Sequence, residues 1–193
     1  MVTKAIIFDC FGVLVASSLN ALLNDYPEFN TQINDLGRQS YYGLITRQQF
    51  NHSLSEIIGI KTTEIDSRYW GASVMDKSAI DWVRELKKSG KYKIGMLSNV
   101  GSGFFNKFLS ETEQHQLFDE VILSSDVGMA KPEVMIFELT AQRLGVKTSE
   151  CIMIDDTKIN IDASESAGMR AIWFISTDQA KYELSRFLDA DHA

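Results

Sequence analysis

Five short runs of apolar residues punctuate the chain: KAIIF at 4–8, KIGML at 93–97, EVILS at 120–124, CIMI at 151–154 and AIWFI at 171–175. They are continuously apolar instead of alternating, as strands buried on both faces of a parallel sheet require. Helical patterns separate the later runs. Ser78 is expected to cap a helix through Lys88 that stops at Gly90, Pro132 to sit in the first turn of a helix ending at Gly145, and a further helix to run from after Asp156 to near Gly168. Strand and helix in repetition predict a three-layer, doubly wound α/β fold with a parallel sheet.

Residues 16–77 break this rhythm, with several helical patterns and no convincing strand. Thr46 with Gln49 makes a capping box for a helix stopping at Gly59, Thr62 or Thr63 can open the next, and Pro27 separates two earlier helical stretches. The expected organisation is an α/β core from residues 1–15 and 78–193, with a small all-helical cap, residues 16–77, inserted after the first strand.

Composition narrows the function classes. A chain of 193 residues, 45% hydrophobic, can bury one substantial core. Its net charge of −7 is spread along the chain without a run of like charges, which argues against a nucleic-acid or anionic-membrane footprint. No apolar stretch is long enough for a membrane span and the opening segment does not read as a signal peptide, so a cytoplasmic protein is expected, as monomer or homodimer. Cys10 and Cys151 lie in apolar runs and are expected as buried, reduced thiols.

The candidate chemistry gathers at strand ends. The first run delivers Asp9, followed by Cys10, Phe11, Gly12 and Val13; the fourth delivers Asp155 and Asp156, with Asn160 four residues beyond. Ligands bind at the carboxyl ends of such strands. Two carboxylates about 4 Å apart repel by about 4 kcal/mol at an effective dielectric of about 20, so three in one pocket need a proton or a cation, and all-oxygen ligands suit Mg²⁺. Ser98 and Asn99 end the second run and Lys131 precedes a helix start, a set that can hold an anion.

IIFDCFGVLV, MLSN, GMAKPEVMIF and IDDTKINIDASESAGM resemble, in order, the four motifs of the haloacid dehalogenase (HAD) superfamily. The chain is most similar to the small-capped branch that includes bacterial sugar-phosphate phosphatases and the N-terminal phosphatase domain of soluble epoxide hydrolases. The resemblance implies a Mg²⁺-dependent phosphatase of a small phosphorylated metabolite such as a sugar phosphate. Asp9 would be the nucleophile and a metal ligand, with the Phe11 carbonyl a second ligand. Asp156 would bind the metal directly and Asp155 mainly through water, while Asn160 steadies that loop. Ser98 and Lys131 would hold the phosphate oxygens, with Asn99 nearby.

One position departs from the pattern: related phosphatases carry a second Asp two residues after the nucleophile, and here Phe11 stands there. Three readings stay open: a phosphatase favouring good leaving groups or borrowing another proton donor; a metal-free 2-haloacid dehalogenase, with Arg38 serving the substrate; and a weakened Mg²⁺- and phosphate-binding partner module. His52, His115 and His192 lack metal or triad spacing and read as surface residues, and Phe104, Phe105 and Phe108 as core. Arg38, Tyr41, Tyr42, Arg47 and Trp70 could each touch a substrate from the helical segment.

Overall fold

A computed structural model describes residues 2–101 and 108–191. Phe104, Phe105 and His192 lie outside the described residues. Five strands form one parallel sheet: β1 (Ala5–Phe8), β2 (Lys93–Ser98), β3 (Glu120–Leu123), β4 (Cys151–Asp155) and β5 (Arg170–Trp173), in the order β3-β2-β1-β4-β5. β1 pairs with both β2 and β4, so the chain changes direction across β1. Ligand crevices form at this switch point.

Alternation along β1 fills both layers. Ile6 and Phe8 face one side, packing with Trp82 and Val83 of α5 (Lys77–Ser89) and Leu184 of α10 (Thr177–Ala190). Ala5 and Ile7 face the other, against Ile136, Phe137 and Ala141 of α8 (Val134–Arg143). Helices α6 (Glu111–Leu117), α7 (Ser124–Val127) and α9 (Lys158–Ser166) fall between the later strands. Both cysteines are buried and unpaired. The expected three-layer fold is therefore present.

Between β1 and α5 run four helices, α1 (Ser18–Asp25), α2 (Asn30–Tyr41), α3 (Arg47–Ile58) and α4 (Thr62–Ala72). They close on their own apolar cluster of Leu22, Ile33, Phe50, Leu54, Ile65 and Tyr69. Pro27 opens a short 3-10 turn between α1 and α2. The Thr46 and Gln49 capping box forms as expected and Gly59 ends α3 in the left-handed conformation. Phe11 packs against both this cluster and the main core, as does Phe108. No helix among the described residues is long and apolar enough to cross a membrane.

Two expected helix starts move. Asp76, not Ser78, caps α5, because its carboxylate accepts from the backbone N–H groups of both Ser78 and Ala79. Pro132 lies upstream of α8, whose cap is Glu133. The backbone just before this proline is held from the side: the Asn99 carboxamide grips both the N–H and the C=O of Lys131, at 2.8 Å each.

Candidate active site

The β1–β4 register pairs Phe8 with Ile154, which places Asp9 and Asp155 side by side at the carboxyl edge of the sheet. Lys131 reaches between them from the loop before α8. Its Nζ lies 2.8 Å from Asp9 Oδ1 and 2.6 Å from Asp155 Oδ2, and all three side chains are buried. Asp156 completes the group: one carboxylate oxygen from each of Asp9, Asp155 and Asp156 lies within 4.8 Å of the others.

The three carboxylates are not equivalent. Asp155 is saturated: Oδ1 accepts from the Thr157 N–H at 2.9 Å, Oδ2 from Lys131, and the Asn160 carboxamide donates to both oxygens at 3.0 and 3.1 Å. Asp9 Oδ1 accepts from the Cys10 N–H at 2.6 Å as well as from Lys131, while its Oδ2 takes no hydrogen bond from the described residues. Asp156 is held by Thr157 Oγ1 at 3.2 Å. Its carboxylate fills the space where a Cβ on Gly12 would stand; with φ at +88°, glycine is required there.

Charge at this floor is out of balance, three acids to one lysine. Burial pushes Asp9 up to about 8, with Lys131 opposing and the Asp155 charge adding. Burial and the Asp155 charge also raise Asp156. Lys131 is held above its ordinary value; burial works against its charge, yet the two flanking carboxylates prevail. A divalent cation fits this deficit. The donors are oxygens only, and the uncommitted oxygens belong to Asp9 and Asp156. Those two side chains, with the backbone carbonyl of the neighbouring Phe11, could hold such an ion, and Asp155 could reach it only through water.

Ser98 and Asn99 stand differently from Lys131. Continuing the register of Phe8 with Met96 by two residues sets Ser98 level with Cys10. Its hydroxyl is buried against that thiol, and it does not line the cleft. Asn99 borders the cleft, but its carboxamide is spent on the Lys131 backbone.

Above the floor opens a cleft of about 350 Å³. Asp9, Asp156, Lys131 and Phe11 line its base; Asn20, Leu23, Asn34, Tyr41 and Tyr69 of the helical segment form the opposite wall. Of the five helical-segment residues singled out by sequence, only Tyr41 reaches it. Arg38 pairs with Asp35 on the surface, Tyr42 bonds Glu133, Arg47 lies 3.6 Å over the Tyr69 ring, and Trp70 packs on Tyr69 and Phe108. Asn20, Asn34 and Tyr69 were missed, because which flank of each helix turns inward depends on how the four helices pack. His52 and His115 are exposed.

Fold and site together define a doubly wound α/β protein with an acidic, lysine-bridged pocket at its switch point. Residues 3–168 match the haloacid dehalogenase-like hydrolase family, and the chain belongs to it. It is 27% identical to a sesquiterpene phosphatase of Aspergillus oryzae, covering 86% of this chain and 87% of that one. It is 23% identical to an (S)-2-haloacid dehalogenase of Pseudomonas putida, covering 94% and 88%. Several further curated relatives are named as phosphatases; the matches span about two fifths of their length. Among solved structures, a HAD family enzyme of Bacteroides thetaiotaomicron in complex with magnesium and inorganic phosphate superposes with a TM-score of 0.73 at 23% identity, covering 88% of this chain and 93% of that one.

Proposed function

We propose that this hydrolase is a Mg²⁺-dependent phosphatase that works through an aspartyl phosphate on Asp9, acting on a small phosphorylated metabolite such as a sugar phosphate. The observation that carries this reading is the cluster of three carboxylates and one lysine, opening through one uncommitted Asp9 oxygen into the cleft. Residues 16–77 act as the cap that forms the far wall.

Phosphoryl transfer asks a protein for positioning and charge neutralisation. Lys131 holds Asp9 Oδ1, which turns Oδ2 toward the cleft as the attacking atom. The same ammonium offsets the charge of the phosphoryl oxygens. Asn160 and the Thr157 N–H fix Asp155, which in turn fixes Lys131. Asp9, Asp156 and the Phe11 carbonyl would hold the Mg²⁺, which when bound supplies charge neutralisation to the nucleophile and the phosphate. Burial raises the Asp9 carboxyl, so a cation at the site favours its charged, nucleophilic form.

The clustered acids favour this reading over a metal-free dehalogenase, which has no use for them. A phosphate-release screen over sugar, nucleotide and acyl phosphates, with and without Mg²⁺ and beside Asp9→Asn, tests it. Mg²⁺-dependent release that vanishes in the variant is expected. Chloride release from 2-chloropropionate without Mg²⁺, in place of phosphate release, would overturn it.

A further inference from the structure

Phe11 leaves the site without the proton donor that departure of an alkoxide requires, since a phenyl ring exchanges no proton. Among the described residues, the other protic side chains around the cleft are nearly all committed. Lys131 bridges two carboxylates, Thr157 bonds Asp156, Ser17 is an aliphatic hydroxyl no more acidic than the departing alcohol, and Tyr69 lies under the Arg47 guanidinium. Asn20 and Asn34 are carboxamides and do not exchange protons at useful rates. Tyr41 remains: it lines the same cleft as Asp9, and its hydroxyl makes no hydrogen bond with the described residues.

Its position is set by the core and not by the helical segment alone. The end of α2 and the turn after it are pinned on three sides. Ser40 Oγ presses on Gly101, in the space a Cβ there would take. The Tyr42 hydroxyl bonds Glu133, two residues from Lys131. Gly43, at φ +70°, rests against the Ser125 carbonyl, 2.8 Å from its ideal Cβ position. A residue between these anchors is held over the floor whatever the other helices do.

Resting on the phosphatase reading above, we propose that Tyr41 is the catalytic proton donor that replaces the missing acid. In the first step the Asp9 Oδ2–phosphorus bond forms and the bond from phosphorus to the alcohol oxygen breaks; that oxygen leaves with the electron pair and takes the Tyr41 proton. In the second, water attacks phosphorus and the Asp9–phosphorus bond breaks, and the water proton returns to the Tyr41 oxygen. Burial lifts this phenol above its ordinary value, with Tyr69 and Asp9 adding, which keeps it in the protonated form that a donor needs.

The test compares Tyr41→Phe with the native enzyme at saturating Mg²⁺ on an alkyl phosphate, whose alcohol leaves poorly, and on p-nitrophenyl phosphate, which needs no acid. We expect kcat/KM for the alkyl ester to fall about 10²-fold and that for the aryl ester to change by less than about twofold. Adding Phe11→Asp to Tyr41→Phe should recover the alkyl rate. Equal losses on both esters, or no loss on either while Asp9→Asn is inactive, overturn the role of Tyr41 and leave the phosphatase reading standing. A native enzyme that releases phosphate from neither ester overturns both.

Discussion

The two edges of the sheet are built from the same kinds of side chain and are balanced in opposite ways. At the amino edge Arg170 makes a two-pronged contact with Asp191, 3.0 Å on each arm, and the Thr3 N–H donates to the same carboxylate at 2.8 Å. Arg170 also bonds the Thr3 hydroxyl and lies over the Phe187 ring. One acid meets one base, and although burial opposes it, hydrogen bonds from Arg170 and Thr3 hold Asp191 far below the usual carboxylate range. At the carboxyl edge three acids meet one lysine, and burial drives Asp9 the other way. The first edge ties the terminal helix to the sheet. The second stores an unsatisfied negative charge beside a cleft, which is of use only to something positive that comes and goes or to a reaction.

The largest effect is expected where the deficit is deepest. Lys131→Met leaves Asp9 and Asp155 buried without their shared cation, a loss that in buried pairs costs about 3 to 5 kcal/mol. Chemical denaturation in EDTA should show that loss, and about 10 mM Mg²⁺ should restore part of it while phosphate release stays down by about 10³-fold. Unchanged stability would mean the carboxylates had already shed their charge, and the contrast between the edges would fail. Arg170→Met at the other edge should cost less, about 1 to 2 kcal/mol, with phosphate release unaffected. The sign with pH follows from the depressed Asp191. Its native contribution is present above its unfolded value of 3.8 and fades as pH falls through its lowered folded value, so the variant should lose that slope. Any large fall in kcat would show the amino edge to be more than structural.

What could be read from the sequence divides along similar lines. Continuous apolar runs announced buried parallel strands, and Thr46, Gln49, Gly59 and Gly90 marked helix ends, because each acts through neighbours a few residues away. The acids at the ends of β1 and β4 were legible because strand ends converge in this fold. Long-range hydrogen bonding was not. Nothing local shows that Asn99 spends both ends of its carboxamide on a backbone 32 residues away, or that Asn160 and Thr157 fill Asp155 so that only Asp9 and Asp156 keep open oxygens. Ser98 fell below the floor for a reason of register, one that needs the pairing of β1 with β2 to see. Tyr41 was one of five side chains that could have faced the cleft. The signal that separates it is the Tyr-Tyr-Gly turn, in which Gly43 and Tyr42 both press on the core.

The smallest effect is the sharpest on the comparison, since it asks whether the carboxyl edge is costly to keep. With its native value near 8 against 3.8 unfolded, Asp9 binds its proton more tightly in the folded chain. Its contribution to stability is therefore complete below about 4 and is lost as pH rises through 8. Asp9→Asn removes the charge and keeps an oxygen for the Cys10 N–H and Lys131. In EDTA the variant should match the native protein near pH 4 and become the more stable one above pH 8, read as a higher Tm. Mg²⁺ should reverse the order, because the ion stabilises the folded protein by mass action only where its ligand remains. If Asp9→Asn is the less stable protein at about pH 9 in EDTA, the carboxylate is not in deficit, and the two edges of the sheet are alike after all.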